Sequence, residues 1–222
     1  MPPRTPPVEP IPLVLYEDPL SPWCFVAEKR IAAALADLAA AYAPLRHEPF
    51  PLRVEPRAMS RAERERLARA ARKAAKEPEA RGITPDLWLS TDPPLSSIPP
   101  LAALAAARLQ GDAREEALRT LLRQAALFRG VNVSRTDVLY ELAERAGLDV
   151  SRFACALATP WTERRVRARY EEAVDRGVDV APALVVGEEW LIAGPRSADE
   201  YREILERYAQ VRHGLPLARV LH

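Results

Sequence analysis

The sequence predicts an α/β protein whose single sheet is assembled from its two ends, a βαβ segment and a ββα segment, with an all-helical block inserted between them. Three observations carry this expectation. Short apolar, β-branched runs lie at residues 11–16, 180–186 and 190–193. Helical periodicity fills the interval between the first run and the other two. A proline, Pro182, sits inside the second run, where a buried strand would exclude it unless the chain does something special there.

Residues 11–16 (IPLVLY) read as a buried strand stopped by Asp18-Pro19. Ser21-Pro22 then reads as an N-cap followed by proline at the first helical position, where its missing N–H costs nothing, and the helix is expected to run to about Ala41. Residues 43–52 alternate enough for a second strand, which would complete a right-handed βαβ unit. A charged, alanine-rich helix is expected over 57–80. Its basic excess reads as a solvated face rather than a nucleic-acid surface. Residues 82–100 are expected to form a loop, and helices to follow at 101–109, 113–128, 135–146, 150–158 and 161–176. Strands at 180–186 and 190–193 flank a Gly187-Glu188-Glu189 turn, and Ser197 caps a last helix to about Ala209. The expected division is 1–56 for the first half of the sheet unit, 57–158 for the helical insertion and 159–222 for the second half.

The chain has 222 residues, 48% of them hydrophobic, enough to form a large core without disulfide staples. Charged residues make up 28% with a net charge of +1, an ordinary solvated surface that points away from nucleic acid. No run approaches the roughly 18 apolar residues of a membrane span, and the proline-rich start lacks the apolar core of a secretory signal. A cytoplasmic location is therefore expected. Two cysteines, Cys24 and Cys155, are too few for a disulfide framework or a zinc site, and His47, His213 and His222 have no metal-ligand spacing, so no metal is expected.

The chemistry concentrates at Ser21-Pro22-Trp23-Cys24. A strand-to-helix turn offers unpaired N–H groups and a partial positive charge, which favour a thiolate or another anion. A cysteine placed there can have a lowered pKa, although Cys24 could equally be a structural thiol and Ser21 a simple cap. A cis peptide at Ala181-Pro182 would explain the proline in the strand. Trp88 is a candidate wall of a substrate cleft between the helical block and the turn, with core packing as the alternative. Cys155 lies in an apolar helix and is expected in the core; His47, without a partner motif, is assigned no catalysis. The absence of a G-x-S-x-G elbow argues against a serine hydrolase.

Residues 18–25 (DPLSPWCF) resemble the D-x-x-C-P-W-C-aromatic turn of DsbA-like proteins of the FrnE type, with serine in place of the first cysteine. Residues 177–186 are similar to that family's cis-proline segment, and Trp190 to Pro195 to its last strand and glycine turn. Gln110-Gly111 and Ala126-Leu127-Phe128 match pieces of its helical insertion. The resemblance implies a thioredoxin-like fold with an all-helical insertion, and thiol–disulfide oxidoreductase chemistry at Ser21 and Cys24. Serine cannot form a disulfide, so two-cysteine cycling at this turn is excluded and the protein would be monothiol at most.

Kappa-class glutathione transferases and 2-hydroxychromene-2-carboxylate isomerases are similar at this same turn, and carry serine where Ser21 stands. That likeness implies a hydroxyl donating to a glutathione thiolate, and a backbone pairing of the cysteinyl group at Ala181 beside Pro182. Against it, Gly194 is followed by Pro195-Arg196-Ser197 rather than by the acidic residue of those enzymes. Three functions are therefore carried forward: an oxidoreductase homologue, a glutathione-dependent isomerase or transferase, and a non-catalytic module that docks extended peptide beside Pro182. The expected partner is a thiol or disulfide substrate, small molecule or peptide. Glutathione enters as a co-substrate with no tightly bound cofactor, and a second copy of the chain is admissible as a partner.

Overall fold

Residues Leu13–Glu17 form β1, buried along its whole length in this computed structural model, which describes residues 9–212. Burial on both faces fits its apolar run, because β1 is an inner strand. Parallel to it lies β2 (Arg46–Pro49), and on its other side β3 (Ala183–Val186) runs antiparallel, followed by β4 (Trp190–Ala193) at the edge. The sheet order is β2-β1-β3-β4, so the two ends of the chain meet between β1 and β3, with Val14 opposite Val185.

Alternation along the strands divides the two faces. Leu13, Leu15, Leu184, Val186 and Ile192 pack against α1 (Pro22–Leu35) and α9 (Ala198–Arg212). Val14, Tyr16 and Ala183 point to the other face, toward Tyr170 and Ala173 of α8 (Pro160–Asp175). Between β2 and α8 the chain forms α2 (Arg61–Ala74), the one-turn α3 (Asp86–Leu89), α4 (Ile98–Arg108), α5 (Asp112–Arg123), α6 (Thr136–Arg145) and α7 (Val150–Ala158). These enclose a separate core that includes Leu118, Leu122, Leu139 and Phe153, to which α8 adds Val166. Among the described residues no helix is long and apolar enough to cross a membrane.

Several boundaries differ from the sequence expectation for identifiable reasons. α1 ends at Leu35, not near Ala41, because backbone bonds between Ile11 and residues 41 and 43 draw the chain back to the sheet. There the Tyr42 hydroxyl donates to the carbonyl of Leu205 at 2.5 Å. The strand expected over 43–52 shortens to Arg46–Pro49. The helix expected over 57–80 starts at Arg61 because Ser60 and Glu63 form a reciprocal capping box. It ends at Ala74, and a 3₁₀ turn over Pro78–Ala80 follows.

The loop expected over 82–100 holds α3 and the start of α4, whose Pro99 and Pro100 occupy first-turn positions that need no N–H donor. α5 runs on into a π turn at Gln124–Phe128. β3 begins after Pro182, at Ala183, and the Ala181-Pro182 peptide is cis. The β3–β4 turn requires glycine at 187, where φ is +61° and an added Cβ would lie 1.8 Å from the Tyr208 hydroxyl. Cys155, expected in the core, is exposed: α7 turns Phe153 inward and Cys155 outward. His213, His222 and the proline-rich start lie outside the described residues.

Candidate active site

The end of β1 delivers the chain into a tight turn before α1. The Ser21 N–H donates to the Asp18 carbonyl at 2.9 Å. Ser21 itself is extended (φ −90°, ψ 116°), and its Oγ accepts the Cys24 N–H at 3.3 Å, so it is the N-cap with Pro22 in the first turn. The cap reading of Ser21 is thus correct, and it does not use up the hydroxyl, whose proton can still be donated.

Asp18 holds the turn from beneath. One carboxylate oxygen accepts from the Leu20 N–H and the other from the Leu52 N–H, each at 2.8 Å, tying the turn to the chain leaving β2. Asp18 is fully buried, and burial pushes its carboxyl up to about 6 despite these donors. Cys24 is also fully buried. Desolvation first, and then the negative charge of Glu17, push its thiol up to about 12. At neutral pH the thiol is protonated and contacts the Ser21 hydroxyl. Burial, reinforced by Glu17, outweighs the hydrogen bonds at the turn that would favour a thiolate.

A cleft of about 280 Å³ opens over the turn, lined by Ser21, Pro22, Trp23, Trp88 and Ala181. The structure therefore brings together five of the residues singled out from the sequence. Cys24 and Pro182 do not line it; the Pro182 carbonyl instead accepts the Gly194 N–H at 2.9 Å. Trp88 is 3% exposed within the helical core and also forms part of the cleft wall. The sequence reading missed Arg53, Arg57 and Arg66, which form a cationic side of the cleft. Nothing in their local sequence separates them from the many other arginines.

Beside the turn lies a buried charge network that was also missed. Glu17 sits between Arg119 (2.9 Å), Arg123 and the Nδ1 of His47 (3.3 Å), and Arg123 also holds Glu28. Burial alone would raise the Glu17 carboxyl; Arg123, His47 and Arg119 together hold it far below the usual carboxylate range. The network joins β1 and α1 to α5, and so fixes the helical block relative to the turn. Among the described residues no group of three or more His, Cys, Asp or Glu is placed to hold a metal ion.

A four-stranded mixed sheet with a cis Ala181-Pro182 peptide before β3 and Ala181 sharing a cleft with the capped strand-to-helix turn, interrupted by a helical block, defines a thioredoxin-like fold. Residues 13–206 match the family model of the DsbA-like thioredoxin domain, and the chain belongs to that family.

Two curated relatives are the ClpXP adapter proteins SpxH of Halalkalibacterium halodurans (34% identical over 100 residues) and of Bacillus subtilis (32% over 130). Those matches take in 45% and 54% of this chain but 32% and 42% of the relatives, so the chain spans less than half their length. Among solved structures, the cytosolic disulfide reductase DsbM of Pseudomonas aeruginosa, determined with GSH, superposes with a TM-score of 0.67 at 21% identity, covering 90% of this chain and 99% of that one. A Nitrosomonas europaea protein named for disulfide isomerisation gives 0.77 at 18% identity, covering 91% and 99%. At these identities the superpositions establish the fold.

Proposed function

We propose that this chain is a DsbA-family homologue of the FrnE type that keeps the thiol-binding cleft without the two-thiol redox cycle. Its ligand is a thiol or disulfide, glutathione first among the candidates, held with its sulfur at Ser21 and its backbone along Ala181. The observation that carries this reading is the division of labour at the turn: Ser21 faces the cleft, while Cys24 is sealed behind it with its thiol pushed up to about 12. A hydroxyl at a helix N-terminus can donate to a ligand thiolate, a charge-assisted bond that lowers the ligand's pKa. That is the chemistry of a glutathione-dependent transferase or isomerase, and it asks nothing of Cys24. The DsbM structure with GSH supports glutathione as the probe, and that protein's cytosolic description supports a cytosolic setting.

Calorimetric titration of reduced glutathione into the protein, with Ser21→Ala as control, tests this. Saturable binding that weakens about tenfold or more in the variant is expected for loss of a charge-assisted bond. No binding at millimolar glutathione would overturn it.

A second reading has one observation in its favour. The curated relatives are named ClpXP adapter proteins, a name that points to a protein partner. Under that reading the cleft holds an extended segment beside Ala181, and neither Ser21→Ala nor Cys24→Ala changes binding.

A further inference from the structure

The cleft does not end at the turn. Its cationic side continues onto α2, where Arg66 lines the cleft and Arg69 and Lys73 follow at helical spacing on the same face. Lys73 stands 5.7 Å from the ring centroid of Trp23, which itself lines the cleft, so the stripe follows the rim rather than leaving it. At about 1.5 Å per residue, the stretch from Arg66 to Lys73 is about 10 Å long, the reach of roughly three residues of extended chain.

Among the described residues these cations are left without an acidic partner, Lys73 resting on the Trp23 ring. Among the described residues Arg66, Arg69 and Lys73 form no ion pair, whereas Glu63 is spent on Arg57 and on the Ser60 capping box. Arg53 donates to the carbonyls of Arg57 and Leu95, but its Nε is buried without a partner. Burial, and then the like charges of Arg57 and Arg66 beside it, lower its pKa. A cluster whose members repel one another gains from an incoming anion. Across the cleft stand Trp88, Leu52 and Ala181, which bring no charge. The other acid in the lining, Asp18, is buried and engaged by two backbone donors.

We infer that the cleft and the α2 stripe together form a docking surface for an acidic polypeptide segment, with an apolar anchor over Trp23 and Trp88 and its acidic side chains on Arg53, Arg66, Arg69 and Lys73. The placement of a cysteine at the turn rests on the thiol-binding reading of the cleft, to which this adds a protein segment as a ligand beside glutathione; the acid preference rests on the cations alone. The stripe is a single row on a chain of net charge +1, and the cleft of about 280 Å³ admits one strand, so a nucleic-acid duplex does not fit. Rim charges of this kind act mainly through long-range attraction, so the preference for acid fades as salt rises.

The test is fluorescence anisotropy with three labelled peptides: a Trp-Cys core flanked by Glu and Asp, the same core flanked by Gln and Asn, and the acidic version with Ser for Cys. A single-stranded oligonucleotide of equal charge is the fourth probe. The acidic peptide is expected to bind about tenfold or more tightly than its neutral twin at 50 mM salt, with the difference shrinking at 500 mM. Arg69→Glu combined with Lys73→Glu should erase that difference, and acid selectivity that survives the double charge reversal would overturn the inference. Equal affinity for the acidic and neutral peptides would overturn the inference, as would tighter binding of the oligonucleotide. Acid-selective binding that is equally strong with Ser for Cys would sustain the docking surface and refute the thiol-binding reading.

Discussion

Ser21 and Cys24 share one hydrogen bond and divide one role: the Oγ of Ser21 accepts the Cys24 N–H at 3.3 Å, and the serine faces the cleft while the cysteine is fully buried. In a two-thiol site the outer residue would attack and the inner one would resolve. Here the outer position carries a hydroxyl, and the inner sulfur has neither access nor charge. Most of the chemical behaviour expected of this protein follows from that arrangement.

The two thiols should separate cleanly by reactivity. Cys155 is exposed on α7, whereas Cys24 is buried with its thiol pushed up to about 12, so iodoacetamide at pH 8 should modify Cys155 alone in the native protein. Mass spectrometry after partial alkylation checks this. In Cys155→Ser no rapid modification should remain until denaturant is added.

Asp18 sets a pH dependence whose sign can be worked out. Its carboxyl is raised from 3.8 to about 6 in the native state, so the native protein binds the proton more tightly than the unfolded chain. Its contribution to stability is fully present below about pH 4 and is lost as pH rises through about 6, at roughly 1.4 kcal/mol per pKa unit, or ~3 kcal/mol in total. Urea denaturation of the wild type and Asp18→Asn from pH 4 to 8 should show the wild type losing stability relative to the variant as pH rises. A constant difference across that range would show that Asp18 titrates normally.

Glu17 acts in the opposite direction. Its carboxyl is held below the usual range by Arg123, His47 and Arg119, so its contribution is present above about pH 4.5 and is lost as pH falls. Removing one partner of so buried a network leaves an uncompensated charge. Arg123→Met should therefore destabilise by about 3–5 kcal/mol. The matched double variant Glu17→Gln/Arg123→Met should recover part of that loss, which a double-mutant cycle in thermal unfolding measures.

A smaller effect reports on the local code for α2. Ser60→Ala removes the capping box with Glu63 and should cost about 1 kcal/mol in urea denaturation.

The sequence was most informative where physics acts locally. Apolar β-branched runs at 11–16, 180–186 and 190–193 marked three of the four strands, Ser21-Pro22 marked the start of α1, and Pro182 pointed to the cis peptide. Local code also fixes the start of α2 at Arg61 rather than at the expected 57, through Ser60 and Glu63. What long-range contacts decide was not legible. Ile11 draws back residues 41–43 and so shortens α1, and α7 turns Phe153 rather than Cys155 toward the core. The same holds for the site. The Ser21 turn, Trp88 and Ala181 could be named from motif and order, but Arg53, Arg57 and Arg66 reach the cleft through the path of the chain after β2. Glu17, Arg119 and Arg123 meet only because α5 packs beside the end of β1.

The most direct measurement compares turnover of insulin disulfides, with glutathione as reductant, for the wild type, Cys24→Ser and Ser21→Cys. The account predicts no turnover above background for the wild type or Cys24→Ser, and a gain of reductase activity in Ser21→Cys, where a sulfur returns to the cleft face in front of Cys24. Wild-type turnover that disappears in Cys24→Ser would contradict it, because the buried thiol would then be carrying the chemistry assigned away from it.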